Sequence, residues 1–215
     1  MLAFDAVQHW DTIAAQRRAL ADQLDALSAE QWSTQSLCGA WTVHDMTAHL
    51  IVPHEISIPR FLVMLAAARG SFERTNVAMT ARVATRPSAQ LVADLRRFAE
   101  SRAKPPGFGS EAPLTEILVH GQDIGLPLGL PAAGPLEPWA DALTFLVSPK
   151  ARRGFMSRPV TGMRLVALDV DFTYGSGEEV FAPAVALAMT LMGRSALVHD
   201  LDGPGAAKLA GFARS

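Results

Sequence analysis

Through most of the first 150 positions, apolar residues recur at steps of three and four, the spacing of helices that bury one face. Between Phe4 and Leu27 they fall at Val7, Trp10, Ile13, Leu20, Leu24 and Leu27, which predicts an amphipathic helix. Ser28-Ala-Glu-Gln31 then has the form of a capping box, with Leu27 and Trp32 placed for a hydrophobic staple. Thr42-Val-His-Asp45, flanked by Trp41 and Met46, repeats the device. It predicts a second helix running through His49 towards Ala68 and ended by Gly70. Pro53 interrupts this helix one turn after His49; it has no N–H, so the His49 carbonyl loses its usual partner and a kink is expected.

A third helix is predicted over Phe72–Val83, and Ser88, after Pro87, is expected to cap another through Arg102. The run KPPGFGSEAP breaks the pattern. A helix from about Pro113 to Ile124 follows, ended by Gly125-Leu-Pro-Leu-Gly, and Glu137–Leu146 forms one more. No strand pattern occurs before about residue 150, so residues 1–150 read as an all-α bundle of four main helices. Beyond it, RPVTGMRLVALDVDFTYGSGEE alternates and is β-branched, with Gly-Ser-Gly as a turn, and predicts a hairpin or strand pair. An apolar helix over Ala182–Met192, ended at Gly193, a strand-like SALVHD and a terminal helix near Pro204–Phe212 complete a small α/β domain over 151–215. The fold class is α+β.

Composition narrows the function. The net charge of −2 gives no field to gather nucleic acid or an anionic membrane, and the 19 basic residues are nearly all arginine. One cysteine, Cys38, excludes an internal disulfide and fits a reducing cytoplasm. The opening MLAFDAVQHWD has neither the basic start nor the apolar run of a signal peptide. The longest apolar stretch, Val180–Met192, is shorter than the ~20 residues a bilayer span needs. A soluble, cytoplasmic protein is expected.

The candidate chemistry rests on His49, Glu116 and His120. Glu116 and His120 lie four residues apart on one predicted helix, hence on one face. Ile117, Leu118 and Val119 make that helix look buried, and a buried carboxylate needs compensation. A divalent metal would supply it; so would a protonated histidine or an arginine. Two imidazoles and a carboxylate fill three positions of a metal and leave a fourth open, the mark of a catalytic site. Asp123, seven residues after Glu116, is placed to orient a ligand histidine or to stand in solvent. His9, His44, His54 and His199 read as ordinary hydrogen-bonded histidines, and Trp10, Trp32 and Trp41 as core or staple residues.

These motifs carry a family resemblance. LCGAWTVHDMTAHL resembles the N-terminal motif of the mycothiol-dependent maleylpyruvate isomerase family, within the DinB-like metal-binding four-helix bundles. TEILVHGQDI…PLG resembles its second motif, and DVDFTYGSGEEVFAPAVALAMTLMGR its C-terminal domain. The resemblance implies zinc, or another divalent metal, held by His49, Glu116 and His120. It further implies a sterol-carrier-like C-terminal domain closing the cleft, with mycothiol as co-substrate. Arg194, in Met-Gly-Arg, matches a recurrent family arginine expected to bind a carboxylate of substrate or cofactor; Gly125 stands where relatives often carry arginine. Cys38 matches a structural position, because the bound thiol is the nucleophile in relatives.

The expected activity is attack of the metal-activated thiol on a small electrophile, as an isomerase or a thiol S-transferase. A zinc-stabilised ligand-binding or regulatory bundle, a metal-free contact module and a hydrolase using metal-bound water are the alternatives. The expected partners are the thiol and the electrophile, with no nucleic acid and no membrane, in a monomer or homodimer.

Overall fold

A computed structural model describes residues 6–39, 41–153, 155 and 158–213. The helices are α1 (Ala6–Asp25), α2 (Ala29–Trp32), α3 (Val43–Glu55), α4 (Ile58–Ala67), α5 (Phe72–Val83), α6 (Ser88–Arg97), α7 (Glu111–Leu128), α8 (Pro138–Leu146), α9 (Ala184–Leu191) and α10 (Ala206–Ala210). The strands are β1 (Met163–Ala167), β2 (Thr173–Gly175) and β3 (Glu178–Ala182). The fold is α+β: helices first, then a small three-stranded sheet. Two compact units emerge, one of residues 13–105 with 120–133, the other of residues 1–12, 106–119 and 134–215. Among the described residues no helix is long and apolar enough to cross a membrane.

In the first unit, both predicted capping boxes form. Ser28 accepts from the Gln31 N–H and Thr42 from the Asp45 N–H, each with the reciprocal side-chain bond. The helix carrying His49 is shorter than the sequence pattern indicates. It runs through Pro53 to Glu55, and a separate helix begins at Ile58. Ser57 caps the new helix through the Arg60 N–H, and Pro59 lies in its first turn, where the absent N–H is harmless. Inside one long helix, Pro59 would have left the Glu55 carbonyl without its donor.

Ala48, Ile51 and Val52 of α3 pack with Met79 and Val83 of α5 and Leu91 of α6. Glu55 accepts two bonds from Arg86, at 2.8 and 2.6 Å, and Arg86 also reaches the buried Asp94 at 2.6 Å, tying the end of α3 to α6. The Arg86 bond holds the Glu55 carboxyl below the usual carboxylate range. Helix α6 stops at Arg97 rather than at Arg102, and Ser88 does not cap it with its side chain. Nη1 of the buried Arg17 takes the carbonyls of Phe98, Ala99 and Ser101 at 3.1, 3.1 and 2.8 Å, so the chain leaves helical geometry with its acceptors satisfied.

Helix α7 also departs from expectation. Gly125 does not end it; the helix continues through Pro127, and Gly129, at φ 63°, terminates it. Leu130 N–H bonds Gly125 O and Gly129 N–H bonds Leu126 O, the paired bonds of a glycine-terminated helix.

In the second unit, β1 pairs antiparallel with β2 and parallel with β3, in the order β2-β1-β3; Gly175-Ser-Gly177, expected as a hairpin turn, instead joins β2 to β3, which lie on opposite sides of β1. Met163, Leu165, Val180 and Ala182 are buried, as is most of α9, which packs on β1. Arg194 N–H bonding Met189 O closes α9 beside Gly193, at φ 86°. The strand-like SALVHD is instead a turn with a short 3-10 segment at Val198–Asp200. Asp202 forms an isolated bridge with Phe181, which meets the edge bonding that a strand there would have provided.

His54 yields a pH prediction. Its Nδ1 lies 2.9 Å from Ser101 Oγ and its ring stacks on Phe98. Burial first, and the Arg17 charge second, push the imidazole down to about 4. The unfolded chain therefore binds the extra proton between about pH 4 and the ordinary 6.5. The stabilisation is complete above that window and is lost as pH falls through it, by up to about 3 kcal/mol. Urea midpoints measured from pH 7 to 4 should fall, and His54→Gln should flatten the fall. Equal slopes for the two proteins would remove His54 as the cause.

Candidate metal centre

The Thr42 capping box fixes where α3 starts and therefore where His49 faces. His49 is the seventh helical residue, on the side of α3 that is almost wholly buried. On α7, the i, i+4 spacing stacks Glu116 and His120 on one face as expected. One ligand atom from each of His49, Glu116 and His120 lies within 4.8 Å of the others; His49 is buried and the other two are half-buried. The rings of His49 and His120 stand nearly perpendicular, 87° apart, with centroids at 5.1 Å.

The surrounding bonds select the nitrogen each ring offers. His120 Nδ1 lies 2.9 Å from Oδ2 of the fully buried Asp123. A carboxylate only accepts, so Nδ1 carries the proton and Nε2 presents its lone pair. His49 Nδ1 faces Thr80 Oγ1, from α5, at 3.4 Å, a hydroxyl able to accept from that nitrogen or donate to it, which leaves Nε2 turned to the other side of the ring. One ring face of His49 is covered by Trp41, stacked at 4.6 Å with planes 29° apart. Two neutral imidazoles and a carboxylate so directed match the donor set of zinc and related divalent ions.

The profile of the mycothiol maleylpyruvate isomerase N-terminal domain matches residues 13–125, just over half of the chain and inclusive of all three donors. The chain belongs to this family. A crystal structure of the mycothiol-dependent maleylpyruvate isomerase superposes with a TM-score of 0.55 at 13% identity, over 94% of each chain. At that identity the likeness concerns the fold alone. No curated protein matches the chain.

Arg194 follows α9, half-buried, and its Nη1 donates to the Met192 carbonyl at 2.6 Å. Cys38 is a half-buried thiol in the turn before α3. His9 lies between Ser110 Oγ and Asp141 Oδ2 at 3.0 and 3.2 Å, and His44 between Ala84 O and Ser88 Oγ, in hydrogen-bonded roles. His199 is largely exposed beside Asp200. Thr80 is the neighbour of His49 that the sequence does not reveal, because it is 31 residues away and is an unremarked helix threonine.

Asp123→Ala removes the group that fixes the His120 tautomer. Zinc affinity, read by competition with a chromophoric chelator, should weaken by roughly 10- to 100-fold. A value within twofold of the parent would separate Asp123 from the site.

Proposed function

We propose that this family member is a divalent-metal enzyme, with zinc the ion its donors suit best, that uses a low-molecular-weight thiol, mycothiol, on a small electrophile. The observation that carries the reading is the convergence of the His49, Glu116 and His120 ligand atoms within 4.8 Å. Three protein donors leave a fourth position for an exogenous ligand. Zinc bound there would lower the pKa of a thiol, ordinarily near ~8.5, enough to deprotonate it at neutral pH.

The residues of the chain hold and orient. Glu116 offsets positive charge in an interior where it would otherwise be costly. Asp123 keeps the proton of His120 on Nδ1, away from the ligand position, and Thr80 engages Nδ1 of His49. Arg194 binds a carboxylate of the substrate or thiol, as its counterpart in the family motif suggests. Thiol addition followed by elimination makes the reaction a cis–trans isomerisation; addition or displacement alone makes it an S-transfer. The family supports the isomerase as the first activity to assay.

Two measurements test this. Elemental mass spectrometry of protein purified without a metal-affinity tag should find about one zinc per chain, and none in a His49→Ala/Glu116→Ala/His120→Ala variant. Absence of metal from the parent, after zinc is offered, would overturn the reading. With zinc established, His49→Ala should lower mycothiol-dependent turnover by more than about 100-fold, beyond the loss typical of an outer-shell residue. An unchanged rate would sink the assignment, and turnover without thiol would indicate a metal-water hydrolase.

A further inference from the structure

We propose that Trp41 is a positioning residue for His49, and that the bonds made by residues 35–39, 41 and 42 exist to hold it there. The inference rests on the metal-site reading above and extends it to a side chain that reads, in the sequence, as a packing residue. A histidine on a helix turns about two side-chain bonds, so burial of its Cα does not by itself aim its nitrogens. The indole of Trp41 covers one face of the His49 imidazole, 4.6 Å away and 29° from parallel, which restricts the ring's tilt. Thr80 Oγ1 at Nδ1 then selects between the two flipped orientations that such a stack leaves open.

The backbone around Trp41 is held more firmly than a packing residue requires. Its carbonyl accepts from Ser36 N–H at 3.1 Å, Ser36 Oγ at 2.7 Å and Gln35 Nε2 at 2.6 Å. Its N–H donates to Cys38 O at 2.9 Å, and Gln35 and Thr42 form an isolated bridge across the base of the turn. The turn is also tied to α7. Pro127 has no N–H to give the carbonyl of Asp123, four residues earlier, and that carbonyl accepts instead from Leu37 N–H at 3.0 Å. One turn therefore places an indole on His49 and bonds the residue whose carboxylate holds His120.

A hydrophobic staple at the start of α3 would need only apolar bulk, whereas a stack needs a planar ring. The experiment compares Trp41→Phe, Trp41→Leu and Ser36→Ala with the parent in the full chain, each checked for folding by circular dichroism. The readouts are zinc affinity by chelator competition and the visible absorption of the cobalt(II)-loaded protein. Trp41→Phe should stay within about threefold of the parent, while Trp41→Leu should lose about tenfold or more and shift the cobalt bands. Ser36→Ala should weaken zinc in the same direction by a smaller factor, and it carries the test if Trp41→Leu does not fold. Parent-like affinity and an unchanged cobalt spectrum in folded Trp41→Leu, or in Ser36→Ala where Trp41→Leu does not fold, would overturn the positioning role while leaving the metal site intact. A parent that binds neither zinc nor cobalt would overturn both.

Discussion

Buried polar groups must find partners, and that constraint organises the helical part of this protein. Glu116, His49 and His120 bring a carboxylate and two imidazoles together in an interior built from leucine, isoleucine, valine and alanine. An interior of low polarity makes unpaired charge costly, so such a cluster persists only with compensation. Asp123 and Thr80 meet the outward nitrogens of the rings, and the inward donors face one another. A cation suits the space they define, and the outer bonds would matter as much as the ligands themselves.

The same accounting explains the backbone. Each proline within or beside a helix removes a donor, and the chain answers in different ways. At Pro59 a new helix starts under the Ser57 cap. At Pro127 the helix continues, and the freed Asp123 carbonyl is taken by Leu37. At the end of α6 there is no proline; a buried arginine gathers three carbonyls and the helix stops. The elements near the proposed centre are thus joined by backbone bonds as well as by apolar contact, which favours a rigid ligand geometry.

Membership in the mycothiol maleylpyruvate isomerase N-terminal family and the geometry of the donors are independent supports for one reading. The family match covers the helices that carry the donors, and the solved isomerase shares the fold over nearly the full length. Neither identifies a substrate. Reaction chemistry is decided by the groups around a site as well as by the residues that could hold a metal there.

Local rules made much of this protein legible in its sequence. The two capping boxes, α5, α8 and the glycine that ends α9 each depend on residues close together in the chain. So does the shared face of Glu116 and His120, because helix periodicity alone sets it. Tertiary structure decided what depends on distant partners. The early end of α6 required Arg17, and the run of α7 past Gly125 and Pro127 required Leu37 as the substitute donor. Parallel β3, the non-strand at SALVHD and the placement of Trp41 and Thr80 on His49 had no local signature. The sequence by itself determined which residues could be ligands and which helix faces carried them. Only the packed chain decided that their atoms converge and which nitrogens they offer, since those are set by contacts between residues far apart along the chain.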